Sequence, residues 1–219
     1  MGHRRAKTKR GVVFLRFRAL LAGALALGLG GSVTLASWTD SDFARGSFGT
    51  SFFQTESNVT KPYDASGAWS TNDVSPGATL VFDASAMSPG TVLYAPFAIR
   101  TKATSVAGEV VLGIPVVTSS GTGVSDLGAA LRYRVVRSAT CQMSSFAGSP
   151  NFVVGSDGVK PLTVGQAVGV VNPLAAATAT LPGAATEFCF EVSLPAGANN
   201  ALQGQTATAT WQFTATSSS

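Results

Sequence analysis

In the closing stretch "TATATWQFTA", residues 206–215, every second side chain is small or aromatic and every other one is polar. Ala207, Ala209, Trp211, Phe213 and Ala215 fall on one face of an extended chain, with Thr206, Thr208, Thr210, Gln212 and Thr214 on the other. A period of two fits a half-buried β-strand and is incompatible with the 3.6-residue repeat of an amphipathic helix. The same alternation recurs upstream. "VLYAPFAIRTK" gathers Leu93, Ala95, Phe97 and Ile99 on one face and sends Tyr94, Ala98, Arg100 and Lys102 to the other. "EVVLGIPVV" gathers Val110, Leu112, Ile114 and Val116, "ALRYRVVR" gathers Leu131, Tyr133 and Val135, and "EFCFEVSL" gathers Phe188, Phe190, Val192 and Leu194. "TLVFDA" adds Leu80, Phe82 and Ala84.

Turn clusters separate these runs: "SPG" at 75–77 and 88–90, "SSGTG" at 119–123, "GSDG" at 155–158 and "LPAGANN" at 194–200. No stretch after residue 40 sustains helical periodicity, and only one short helical turn is expected, near Leu127. Strands joined by turns without intervening helices predict an all-β fold: an antiparallel β-sandwich of eight to ten strands, of jelly-roll kind. Pro96 cannot donate a ladder hydrogen bond, which places its strand at a sheet edge or at a bulge.

The front of the chain follows different rules. Seven of the fifteen basic residues lie between Arg4 and Arg18, where there is no acidic residue, leaving eight bases against eleven acids beyond. The basic balance therefore belongs to a leader and gives no reason to expect nucleic acid as a partner. Residues 1–18 form a basic n-region and "ALLAGALALGLGG", 19–31, an apolar h-region. "SVTLAS" follows, in which Thr34 and Ala36 are the small residues of a peptidase site that would make Ser37 the new N-terminus. The run from Ala19 to Ser37 would also reach roughly 28 Å as a helix at 1.5 Å per residue, so an uncleaved membrane anchor is the alternative. The domain plan is a signal peptide over 1–36, an exposed N-terminal segment or first strand over 37–57, and one sandwich domain over 58–219. The expected location is extracellular, on the cell surface or in a matrix. Membrane contact is expected only through an uncleaved leader.

Cys141 and Cys189 are the only cysteines, and in an exported chain such a pair predicts one disulfide. Cys189 alternates with Phe188 and Phe190, so the bridge is expected outside the main core, clamping the loop after "RYRVVRSAT".

The chemistry of enzymes is missing from this list of residues. His3 is the only histidine and lies in the leader, which excludes a Ser-His-Asp triad and a histidine-based zinc site from the rest of the chain. The aspartates Asp40, Asp42, Asp64, Asp73, Asp83, Asp126 and Asp157 stand singly in turn-like settings and read as Asx-turn or cap residues. "SDG" at 156–158 lacks the ligand series of a calcium loop. Glu187 and Glu191 share a strand face about 13 Å apart at 3.3 Å per residue, too far for a glycosidase pair. The reading assigns no catalytic residue, no metal ligand and no cofactor. Arg132, Arg134 and Arg137 form the one basic cluster after the leader, a solvated face or a site for an anionic polymer.

The junction "GLGGSVTLASWTDSDFARGSF" resembles that of TasA-like and camelysin-like exported proteins, which are processed by a signal peptidase of the SipW type. Their pattern is matched by Thr34, Ala36, Trp38, Thr39, Asp40, Ala44, Gly46 and Phe48, with Arg45 departing at a usually small position. The resemblance is specific over roughly residues 28–54. Beyond it, "SPGTVLYAPFAIR" and "LQGQTATATWQF" are similar to actinobacterial members of the group. It implies a non-enzymatic subunit of a biofilm or cell-surface fibre that self-associates, with the SipW-type peptidase as its partner during export. Camelysin-like proteins have been classed as metalloproteases; without a histidine-based zinc site that activity is not carried over here, and a camelysin-type metalloprotease stands as the last of the alternatives. The candidate assembly segment holds Trp38, Asp40, Phe43, Phe48, Phe52 and Phe53, which would either join a neighbour's sheet edge or fill the first strand of their own sandwich. A monomeric adhesin or polysaccharide-binding module, with Trp69, Tyr63 and Tyr94 as sugar platforms, is the alternative function.

Overall fold

The computed structural model of the chain describes residues 14, 16–22, 24, 50–74, 77–80 and 87–218. Two compact units divide it, Met1–Phe48 and Gly49–Ser219. In the first unit, residues 16–22 are helical and exposed. No described helix is long and apolar enough to cross a membrane. Thr34, Ala36, Ser37, Trp38, Asp40, Phe43 and Phe48 lie outside the described residues, as does most of the "TLVFDA" strand.

The second unit is built of antiparallel sheets. Its strands are β1 (Thr55–Asn58), β2 (Val92–Thr101), β3 (Gly108–Leu112), β4 (Val116–Ser119), β5 (Arg132–Arg137), β6 (Asn151–Val154), β7 (Lys160–Pro161), β8 (Pro173–Leu174), β9 (Thr186–Ser193), β10 (Ala207–Thr210) and β11 (Phe213–Ser217). One helical turn, α1 (Leu127–Ala130), stands where the sequence places it. The Asp126 side chain caps it by accepting from the Ala129 N–H at 3.0 Å. The larger sheet runs β1-β2-β9-β5-β6, with β7 also on β5; the others run β11-β3-β8 and β10-β4.

The apolar faces read from the alternation meet in one core. Phe97, Ile99, Tyr133, Val135, Phe188, Phe190 and Val192 come from the larger sheet, and Val110, Leu112 and Leu174 from the smaller ones. Phe213 stacks on Phe97 with ring centroids 4.3 Å apart, and Trp211 meets Phe190 edge-on at 5.1 Å. These are the separations and tilts that aromatic pairs favour, so the two layers interlock through rings rather than through aliphatic contact alone. Tyr133 is buried in the same core and its hydroxyl donates to the Val164 carbonyl. Burial pushes its phenol up to about 12.

Two expectations change. The described residues form eleven strand segments against the expected eight to ten strands, with residues 113–115 separating β3 from β4 and 211–212 separating β10 from β11. The interruption also shifts the alternation: Ile114 and Val116 are exposed, at 61% and 72%, while Val117 packs against the core. Gly113 and Pro115 flank Ile114, so a strict period of two does not run through them. Secondly, β2 is an interior strand of its sheet. Pro96 is tolerated there because β1 ends opposite Ala98. Beyond that point Lys61 Nζ donates to the Tyr94 carbonyl at 2.6 Å, on the side where β1 has stopped. Residues two apart in a strand turn their backbone polar groups to the same side, so the missing Pro96 N–H faces the gap left by β1.

The outer faces of the two layers differ. On the β3-β4 and β10-β11 ribbon, Thr208, Thr210, Thr214 and Thr216 are exposed beside Val111, Val116 and Thr118. The outer face of the larger sheet is covered.

Candidate functional site

The cover over the larger sheet is made by the loops at 60–70 and 138–150. Cys141 is bonded to Cys189, with Cα atoms 4.9 Å apart across 48 residues of sequence. Cys189 is fully buried, yet it sits opposite Pro96 and Val136 on the outer side of the sheet, as its alternation with Phe188 and Phe190 requires. The disulfide thus pins the 138–150 loop across the middle strands.

An ion pair with an aromatic lid lies on each side of it. Arg134 and Glu191 are direct cross-strand partners, and the guanidinium grips the carboxylate through Nε and Nη2 at 2.8 and 2.7 Å. The Glu191 side chain is only 5% exposed. Phe146 and Phe152 stand over Arg134 at 4.9 and 5.9 Å, and Tyr94 meets Phe146 at 5.9 Å. A fork-shaped, fully satisfied pair under aromatic cover is an arrangement that only Arg makes well. Gly155 completes it: its φ is +83°, and a Cβ there would lie 2.8 Å from Arg134 Cγ. On the other side Arg100 Nε bonds Glu56 at 2.7 Å, and Trp69 covers the guanidinium at 3.9 Å. The Trp69 indole N–H donates to the Ala65 carbonyl at 2.9 Å.

Alternation places Arg100, Arg134 and Glu191 on this face, but it neither places Glu56 nor pairs any of them. Each pair joins strands 44 or 57 residues apart. Period-two reading gives a side chain's face and not its neighbour across the sheet.

Of the predicted sugar platforms, Trp69 lies against the Arg100 guanidinium, Tyr94 makes a tilted contact with Phe146, and Tyr63 is half-buried. Burial, and then the nearby Glu187 carboxylate, push the Tyr63 phenol up; burial and Glu191 do the same to Tyr94. Of the basic cluster, Arg134 is committed to Glu191, and Arg132 donates to the carbonyls of Ala129, Ala130 and Leu131, closing the end of α1. Arg137 lines a shallow polar recess of about 350 Å³ with Asn151, Thr186 and Glu187. A groove of about 520 Å³ runs beside the disulfide between Tyr63, Pro96 and Gln142.

Two of the described aspartates, Asp64 and Asp126, bond backbone N–H groups, and Asp157 pairs with Lys160. Asp64 accepts from the N–H and hydroxyl of Ser66, which hold its carboxyl below the usual range. Asp126 is lowered by the Ala129 N–H that it caps, and Asp157 by Lys160 at 2.7 Å. Among the described residues no group of three or more His, Cys, Asp or Glu is placed to hold a metal ion.

Of the assembly segment, Phe52 and Phe53 are described. Phe52 forms a one-residue parallel bridge to Ser105 and is 47% exposed. Phe53 packs against the core of its own chain, where its ring leaves no room for a Cβ at Gly108, 2.8 Å away. Gln54 fixes the step that follows: its carbonyl accepts from Lys102 N–H at 2.8 Å and its N–H donates to Ser105 Oγ at 3.1 Å. The chain from Phe53 onward is thereby part of its own sandwich. No protein-family model matches the sequence, and no curated protein matches it either.

Proposed function

We propose that this chain is an exported, non-enzymatic structural subunit whose sandwich is locked by one disulfide and which associates with copies of itself in a surface or matrix fibre. The observation that carries the reading is the Cys141–Cys189 bond, buried at one end and closing 48 residues. Such a bond belongs to an oxidising, extracytoplasmic setting. Export through the leader, cleavage after Ala36 by a SipW-type peptidase, and kinship with TasA-like and camelysin-like proteins belong to the same proposal. Its fold in this reading is a jelly roll. Taking β3–β4 and β10–β11 as one strand each reduces the eleven segments to nine, and the orders β2-β9-β5-β6 and β11-β3-β8 support that topology.

Assembly on this reading uses residues 37–51, which lie before the docked Phe53 and would add as a strand to a neighbouring copy. N-terminal sequencing and electron microscopy of material shed from cells test it together. A start at Ser37 in fibrous material is expected; an intact Met1 confined to the membrane fraction overturns it. Fibres from a variant lacking residues 37–55 would remove the strand-addition step.

A second reading, a monomeric polysaccharide-binding module, is favoured by the 520 Å³ groove beside Tyr63, a volume within the usual range of small-ligand sites. Glycan-array binding by non-polymerising monomer would support it.

A further inference from the structure

We propose that the polar recess at the ends of β5, β6 and β9 binds one uronic-acid residue of a polysaccharide, with the Arg137 guanidinium on its carboxylate, and that the groove beside Tyr63 takes the next sugar. The inference rests on the polysaccharide reading above and names the class of sugar that the site would take.

Strand register assembles the recess. Arg137, the last residue of β5, stands opposite Asn151 on β6 and Phe188 on β9. The Ser138 N–H donates to the Glu187 carbonyl at 3.0 Å, which brings Glu187 and Thr186 to the same rim. Arg137, Asn151, Thr186 and Glu187 thus line one recess of about 350 Å³, at the small end of the range for ligand sites and enough for a single sugar ring.

Its charges are uncommitted. Of the three arginines of β5, Arg132 closes the end of α1 and Arg134 grips Glu191. The half-buried Arg137 guanidinium has no hydrogen bond or ion pair among the described residues. Glu187 lines the same recess and forms no ion pair among them either. A guanidinium fork recognises a planar carboxylate through two parallel bonds. Beside it, the Glu187 carboxylate accepts from hydroxyls and repels a second negative charge. One cation with one anion therefore selects a singly charged ligand rich in hydroxyls and disfavours a phosphate dianion. A uronic-acid sugar has that composition.

The neighbouring groove extends the site. Ala139 lines both the recess and the groove of about 520 Å³, so the two are adjacent. Burial and then Glu187 raise the Tyr63 phenol, which sets Tyr63 at the boundary between them. Its hydroxyl is buried there without a well-formed hydrogen bond. Tyr63, Pro62 and Pro96 give the groove an apolar wall for the face of a sugar ring, and Thr140 and Gln142 give it polar groups.

Titration calorimetry of the full chain with a trimer of galacturonic acid, with the methyl ester of that trimer and with the acid monomer tests the inference. The ester is expected to bind at least about tenfold more weakly than the acid, the scale of one charge-assisted pair, and the monomer several-fold more weakly than the trimer. Arg137→Ala should bring the acid down to the affinity of the ester at an unchanged urea midpoint. Arg137→Lys, which keeps the charge and loses the fork, should recover only part of the difference. Equal binding of acid and ester, or full binding of the acid by Arg137→Ala, overturns the inference and leaves the polysaccharide reading standing. Inorganic phosphate competing as strongly as the trimer overturns the assignment to a sugar. No binding of either trimer also overturns it, and a glycan array left bare by the monomeric chain ends the polysaccharide reading with it.

Discussion

On the larger sheet, Cys189, Glu191 and Arg134 lie beneath two loops, a disulfide and a lid of Phe146, Phe152 and Trp69; on the ribbon behind the core, Thr208, Thr210, Thr214 and Thr216 meet solvent directly. Both surfaces belong to strands with the same alternation and share one core. The difference lies in what the chain invests over each. Residues 60–70 and 138–150 contribute long loops to one side, and the other receives side chains that need no cover. Charge follows the same division, since a buried carboxylate such as Glu191 requires a partner and a lid, whereas threonine requires neither. One face fixes the fold, and the other can be altered without touching it.

Removing the clamp on the covered face should have the largest effect. Replacing both cysteines, Cys141→Ser with Cys189→Ser, releases a loop of 48 residues. The chain-entropy account puts the loss at about 4 kcal/mol. Urea unfolding of the double variant should show it as a lower midpoint, and an unchanged midpoint would mean that the loops hold the face without the bond.

The ion pair comes next. Arg134→Ala leaves Glu191 buried without its fork and should cost about 3 kcal/mol. Replacing both members, Arg134→Met with Glu191→Leu, should restore most of that loss, because the penalty arises from an unpaired charge rather than from a missing attraction. If the double variant is as unstable as the single one, the pair is holding Phe146 and Phe152 in place and not merely neutralising itself. Adding the single variants Arg134→Met and Glu191→Leu completes a four-member cycle with the unaltered chain that separates the two contributions.

These two devices also mark the limit of what the sequence discloses. The faces of β2, β5, β9 and β10–β11 are legible because alternation depends only on a strand being extended, and all four keep it. Ile114 and Val116 are misread because Gly113 and Pro115 break the strand between them, a local event that the flanking valines conceal. The disulfide follows from there being two cysteines. The pairing of Arg134 with Glu191 and of Arg100 with Glu56 does not, since it depends on β9 and β5, and β1 and β2, becoming neighbours in a particular register. The aromatic lids come from loops whose composition carries no period. The docking of Phe53 rests on a Gly108 that reads, in sequence, as an ordinary turn residue. The cleavage site and the first part of the assembly segment remain expectations of the sequence.

The core beneath both faces offers a smaller, pH-dependent check. Tyr133 keeps its proton to about 12 in the folded chain, while an unfolded tyrosine loses its own near 10. Between these values the unfolded state has released a proton that the folded state retains, so stability is intact below about pH 10 and falls as pH rises towards 12. Urea midpoints at about pH 9 and about pH 11 should differ in that direction, and Tyr133→Phe should reduce the difference. Tyr63 and Tyr94, both also raised, leave a residual slope of the same sign. A slope unaltered by Tyr133→Phe would assign the alkaline loss to the outer tyrosines instead.

The smallest expected effect on stability tests the comparison from its bare side. Val116→Thr and Thr210→Lys change exposed positions whose side chains have no hydrogen-bond partner in the described chain. Each should shift the unfolding free energy by no more than about 0.5 kcal/mol. Thr210→Lys is the more informative, since a charge is cheap on a solvated strand face and costly on a covered one. Its urea midpoint should match that of the unaltered chain. A large loss of stability in the monomer would mean that the face is covered within its own chain. The division between a face that holds the fold and a face left exposed would then fail at its simplest point.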